Sequence, residues 1–187
     1  MANININYDK YKKRFELSFH NLIELNFFWD GQKDFDVALF YQTRDGYVNG
    51  VFSAEYSGRK ESEGYLEKFP YIKHICDWSE TCSEQMRISS LQEMTLISVC
   101  VIDYDACINK EMTNFSEYEC ILEILNDNIS IHSIEMNNPN LGNIYLICRI
   151  TSEDGCFWLE EINDVLCLEE AYNSIPGFST IVEQNDN

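Results

Sequence analysis

Asp34 and Asp36 stand two residues apart in Trp29-Asp30-Gly31-Gln32-Lys33-Asp34-Phe35-Asp36, which runs directly into the apolar stretch Val37-Ala38-Leu39-Phe40. On extended backbone, side chains two apart share a face, so this pair would offer clustered oxygens. That donor set suits a hard cation such as calcium, which takes roughly six to eight oxygen ligands, backbone carbonyls included. The same residues would serve equally at a solvated strand end held by Asx-type bonds to the backbone. A second acidic stretch, His74-Ile75-Cys76-Asp77-Trp78-Ser79-Glu80-Thr81-Cys82-Ser83-Glu84-Gln85, precedes another strand-like run.

Other chemistries have weaker support. Cys76 and Cys82 are six apart with His74 close in sequence, but the C-x2-C pair usual in structural zinc sites is absent. A Cys–His nucleophile would have to use His20, His74 or His132, and no cysteine carries a local signature for it. Asp103-Tyr104-Asp105 opens like an EF-hand loop, yet Ile108 and Asn114 occupy the places of its glycine and its glutamate, so an EF-hand is rejected. Those carboxylates could still lend an oxygen to a site built elsewhere. No phosphate-binding glycine loop, serine-hydrolase elbow or HExxH motif occurs. Nothing among the 32 acids selects a pair for glycoside chemistry.

The chain has 187 residues and a formal net charge of -19. The charge is uneven: residues 1–75 carry 10 basic and 11 acidic side chains, and residues 76–187 carry 3 and 21. Such a surface repels phosphate backbones and anionic lipid, which argues against nucleic-acid binding and favours cations and basic protein partners. With 45% hydrophobic and 13% aromatic residues, one sizeable core is affordable. No apolar run is long enough for a membrane span, and the N-terminal segment lacks the features of a secretory signal. The expectation is a cytoplasmic protein whose 8 cysteines are reduced.

The elements that would position these groups read as strands. Phe15, Leu17 and Phe19 alternate with polar residues, as do Ile23, Leu25 and Phe27. Further strands are expected at Asp36–Gln42, Tyr47–Ser53, Gln85–Ser89, Thr95–Tyr104, Cys120–Asn126, Ile129–Met136, Ile144–Thr151 and Cys156–Ile162. Asp45-Gly46 and Asp154-Gly155 mark hairpin turns. The fold class expected is all-β, a mainly antiparallel β-sandwich with one or two short helices, the best helix candidate being Asp164–Tyr172. Residues 1–187 read as a single domain, with mobile surface at 57–70 and in a C-terminal tail after about residue 180.

The two acidic entries, taken in order with these strands, resemble the TerD-type tellurium-resistance and stress-response domain. Asp34-Phe35-Asp36-Val37-Ala38-Leu39-Phe40 looks like that family's Asp-Leu-Asp-Ala-Ser-x-Phe. Asp45-Gly46-Tyr47-Val48 falls at its Gly-containing hairpin, and His74 and Asp77 look like its His and the Asp of Gly-Asp-Asn. Glu84-Gln85-Met86-Arg87-Ile88 resembles the strand after its Gly-Asp-Asp, and Asn114-Phe115-Ser116 its Asn-Phe-Gly turn. The likeness is strongest over 23–163. It implies a non-enzymatic, calcium-binding sandwich with Asp34, Asp36, Asp77 and Glu84 as ligands, acting through cation-ordered loops and docking to protein partners. This chain departs from the pattern in a shortened acidic loop, with Thr81-Cys82-Ser83 in place of Gly-Asp-Asp. The alternatives are a TerD-like interaction scaffold that has lost its ion, and, more remotely, an acidic hydrolase or thiol enzyme.

Overall fold

A computed structural model describes residues 14–17, 21–31, 33–53, 60–75 and 82–182. Among them the chain forms β1 (Arg14–Leu17), β2 (Ile23–Phe28), β3 (Phe35–Thr43), β4 (Val48–Val51), β5 (Gly64–Tyr65) and β6 (Ile72–Ile75). There follow β7 (Ser83–Ile88), β8 (Met94–Asp103), β9 (Ile121–Asn126), β10 (Ile129–Glu135), β11 (Ile144–Glu153) and β12 (Cys156–Leu166). They pair in two six-stranded sheets, in the orders β1-β12-β11-β8-β3-β4 and β10-β9-β2-β7-β6-β5. All pairings are antiparallel. The protein is an all-β sandwich with short helices.

The two sheets are covered differently, and the sequence pattern follows that difference. Both contribute inward residues to the main core, Val37, Leu39, Val99 and Ile147 from the first and Phe27, Met86, Leu122 and Ile124 from the second. The outer face of the first sheet carries a further core, in which Ala38, Phe40, Cys100 and Ile102 meet Ala171, Ile175, Phe178 and Ile181 from the chain's C-terminal helices. A strand covered on both sides reads as a continuous apolar run, which is why Val37-Ala38-Leu39-Phe40 shows no alternation. The outer face of the second sheet is polar instead. There Glu24 meets Arg87 at 2.9 Å and the Gln85 amide donates to Asn26 at 2.6 Å, both across directly paired positions of β2 and β7.

Tight turns fix the register of two hairpins. Glu153 pairs with Cys156, and the two residues between them, Asp154 and Gly155, have φ of 50° and 84°. This is the primed turn whose twist matches the flanking strands. At the β3–β4 turn Gly46 has a φ of 87° and its N–H donates to the Thr43 carbonyl at 3.0 Å.

Several elements differ from expectation. The helix expected at Asp164–Tyr172 begins only at Leu168 and runs to Ser174, because β12 continues through Leu166. Val165 lies on the strand and enters the inner core, whereas Leu168 and Tyr172 are exposed, so the helical spacing of these three residues does not mark one buried face. The tail expected to be mobile after residue 180 is helical over Ser179–Val182 and buries Ile181; residues 183–187 lie outside the described residues. Within 57–70, the described part contains a 3-10 turn at Lys60–Glu63 followed by β5. The helix Tyr104–Asn109 takes over at the last residue of the expected strand Thr95–Tyr104, since the Asp103 carboxylate accepts from the Ala106 N–H at 2.9 Å and caps a helix there.

Candidate functional site

The two acidic entries meet where β3 leaves its neighbour. β4 ends at Val51, opposite Leu39, so beyond that point β3 has no ladder partner on that side. On β7, Glu84 shares the inward face with Met86 and Ile88, and its side chain crosses from the second sheet to the first. Its Oε2 accepts the Val37 N–H at 2.6 Å. A carboxylate thus satisfies a backbone donor that the missing strand leaves over. The other oxygen, Oε1, lies 3.4 Å from His74 Nε2, on the inward face of β6. The His74 side chain is fully buried and that of Glu84 is 13% exposed.

Asp34 is exposed just before β3, and Asp36 is half-buried within it. By strand alternation Asp36 leaves β3 on the side of Ala38 and Phe40, the outer face, whereas Glu84 arrives from the facing sheet. Neither aspartate is without a partner. The structure therefore brings Glu84 to the residue next to Asp36 along β3, while the carboxylates approach that strand from different directions. Asp77 lies outside the described residues. Among the described residues, no three or more His, Cys, Asp and Glu side chains gather in a metal-holding group.

A second node was not legible as a site. Asp103 is completely buried at the end of β8. Its Oδ2 accepts from Lys33 Nζ at 2.9 Å and from the Thr113 hydroxyl at 2.6 Å, while Oδ1 caps the following helix. The bond to Asp103 holds the Lys33 ammonium above the usual lysine range. Lys33 is in turn fixed by its carbonyl, which accepts from Trp29 Nε1 at 2.8 Å. The Trp29 N–H donates to the Cys82 carbonyl at 3.1 Å, and the Asp30 N–H to the Tyr118 carbonyl at 2.7 Å. The β2–β3 connection is thus stitched to the start of β7 and to the 3-10 turn Phe115–Tyr118. The oxygen that an EF-hand-like Asp103 could have lent to an ion is held by an ammonium and a hydroxyl.

The buried thiols among the described residues are poorly placed for nucleophilic work. Burial raises Cys100, Cys107, Cys120 and Cys148, and pushes Cys107 and Cys120 up to about 12. A reactive cysteine needs the opposite shift. All seven cysteines among the described residues are free. The imidazole of His132 lies against Phe15 at 4.0 Å between ring centres, with Nε2 2.6 Å from Glu161 Oε1. It joins β10 to β1 and β12 along one side of the sandwich. Among the described residues no helix is long and apolar enough to cross a membrane.

No protein-family model matches the chain, and no curated protein matches it. Among solved structures, the crystal structure of SAV2460, a protein of unknown function, aligns with a TM-score of 0.51 at 11% identity. The alignment covers 79% of this chain and 93% of that one. At that level of identity the likeness is one of architecture, and this chain shares its sandwich fold with SAV2460.

Proposed function

We propose that this protein is a non-catalytic, acidic, TerD-like sandwich that binds a divalent cation, calcium, at the end where β3 and β7 begin, and docks to protein partners in a stress or tellurium-resistance response. The observation that carries this reading is the reach of Glu84 from the second sheet onto Val37, beside Asp36, which joins the two acidic entries at one edge. A cation on the Asp34 and Asp36 side of that edge would offset the repulsion between those two carboxylates and order the neighbouring loops, changing the surface offered to a partner. The raised thiols weigh against the thiol-enzyme alternative. Thermal unfolding tests the reading. Millimolar calcium should raise the midpoint of the native protein and leave an Asp34→Asn, Asp36→Asn double variant unmoved. Equal midpoints with and without calcium in the native protein would refute it.

A second reading, an interaction scaffold without an ion, is favoured by a different observation. The oxygens of Glu84 already face Val37 and His74, and Lys33 already neutralises Asp103. It expects no calcium response together with retained partner binding.

A further inference from the structure

A cleft of about 480 Å³ opens on the outer face of the first sheet, between β11, β12 and the helix Leu168–Ser174. Its polar centre is Arg149. This residue stands directly opposite Ser98 on β8 and Glu160 on β12, and Thr151 follows two residues along β11 on the same face. Ser98 is completely buried, and Ser98 Oγ, Arg149 Nε and Thr151 Oγ1 are all buried without a hydrogen-bond partner. A guanidinium presents a fork of N–H donors. The bond that Arg149 does make, from Nη2 to the Ser174 carbonyl, is 3.4 Å long, at the weak end of the range. Among the described residues no carboxylate forms an ion pair with Arg149, not even the directly opposed Glu160. Buried donors without acceptors are uncommon and ask for a cause, and here they are gathered around one half-buried cation.

We propose that this cleft binds a small zwitterion with an apolar side chain, a free α-amino acid of the leucine or phenylalanine kind, whose carboxylate sits on the Arg149 guanidinium. The planar fork of arginine matches a carboxylate and supplies the charge-assisted bonds that Arg149 lacks. Asp164 from β12 and Glu169 from the helix stand exposed at the same cleft, placed to face an ammonium. A bare anion would gain Arg149 and be repelled by these acids, and a bare amine would meet the reverse. A zwitterion answers both signs. Glu170 is set apart from this role, because its Oε2 accepts the Cys167 N–H at 2.9 Å and holds the start of the helix. Leu146, Ile162 and Leu166 give the cleft an apolar wall continuous with the outer core. The volume falls within the roughly 300–1,000 Å³ of small-ligand pockets. This inference goes beyond the cation-binding reading and does not rest on it, since none of Asp34, Asp36 and Glu84 lines the cleft.

The test is calorimetric titration of the full-length protein with leucine and, separately, with phenylalanine, at concentrations up to tens of millimolar. Each should bind saturably, one molecule per chain. Leucinamide, which lacks the carboxylate, and N-acetylleucine, which lacks the ammonium, should both bind on the order of 10–100-fold more weakly. These comparisons use the native protein, so they stand whether or not a variant folds. Arg149→Lys keeps the charge without the fork and should weaken leucine binding by a similar factor. Glu169→Gln, on an exposed position, should weaken it by a smaller one. In the 15N spectrum of native protein, leucine should shift the side-chain Nε–H resonance of Arg149, assigned by through-bond correlation. No saturable binding, an affinity for leucinamide or N-acetylleucine equal to that for leucine, or an Arg149 resonance that leucine does not move overturns the proposal. A calcium response without leucine binding would overturn this inference alone. Leucine binding at Arg149 without a calcium response would uphold it while overturning calcium as the ion.

Discussion

Replacing Asp103 by alanine removes every acceptor at the centre of the Lys33–Thr113–Ala106 cluster, and the cost can be assembled from its parts. The helix Tyr104–Asn109 loses its N-cap, worth about 1 kcal/mol. The Thr113 hydroxyl, on a residue only 4% exposed, is left without its carboxylate, at about 1–3 kcal/mol. Lys33 is 31% exposed and can turn to water, so its share is small, about 0–1 kcal/mol. The sum is about 2–5 kcal/mol, which for a chain of this size lowers the thermal midpoint by roughly 4–20 °C. Lys33→Met is the complementary change. It leaves the carboxylate buried with its two other donors and should cost about 1–3 kcal/mol. Because both changes disturb one contact, the double variant should cost little more than Asp103→Ala alone. Urea unfolding of the native protein, both single variants and the double variant closes this cycle. Costs that add to within about 0.5 kcal/mol would show that Lys33 and Asp103 act independently, and would refute the clamp. The pH dependence gives a second check. A lysine whose folded pKa is raised contributes stability in full below the ordinary lysine range, and that stability fades as pH climbs through the raised value. Lys33→Met should therefore flatten the alkaline limb of the native stability profile.

The remaining predictions concern turn geometry and thiol chemistry. Gly155→Ala places a side chain at φ 84° with nothing within 4 Å of the added carbon, so its cost should be the backbone term alone, about 1–2 kcal/mol. Gly155→Asn should recover much of that cost, since asparagine tolerates the conformation, and equal unfolding midpoints for the alanine variant and the native protein would contradict it. With a disulfide thiol reagent at neutral pH, the exposed Cys82 should react in the folded state. Cys100 and Cys148 should react only on unfolding, which mass-spectrometric mapping of labelled sites would settle.

Strands were the most legible part of the chain. Wherever one face meets the core and the other meets water, as at Ile23, Leu25 and Phe27, alternation located them. Legibility fell where that condition lapsed. Val165 on the strand, with Leu168 and Tyr172 beyond it, falls at helical spacing, yet Val165 is buried in the inner core and the other two are exposed. The four-residue β6 carries only Ile72 and His74 inward, too few positions to show a period. Asp103 looked like a strand end or a cation ligand, because the groups that satisfy its other oxygen, Lys33 and Thr113, fold in from 70 and 10 residues away. The position of Glu84 was legible as the start of a strand. Its target was not, because Val37 needs a side-chain acceptor only where β4 stops short of it.

The outer core on the first sheet is completed by Phe178 and Ile181, residues that a ribosome delivers after the twelve strands of the described residues. Until they emerge, Phe40 and Ile102 belong to an oily wall with no roof. A message cut short before that point would yield a nearly whole sandwich that is sticky to chaperones and attractive to proteases. Quality control would then read these helices as the closing of that wall.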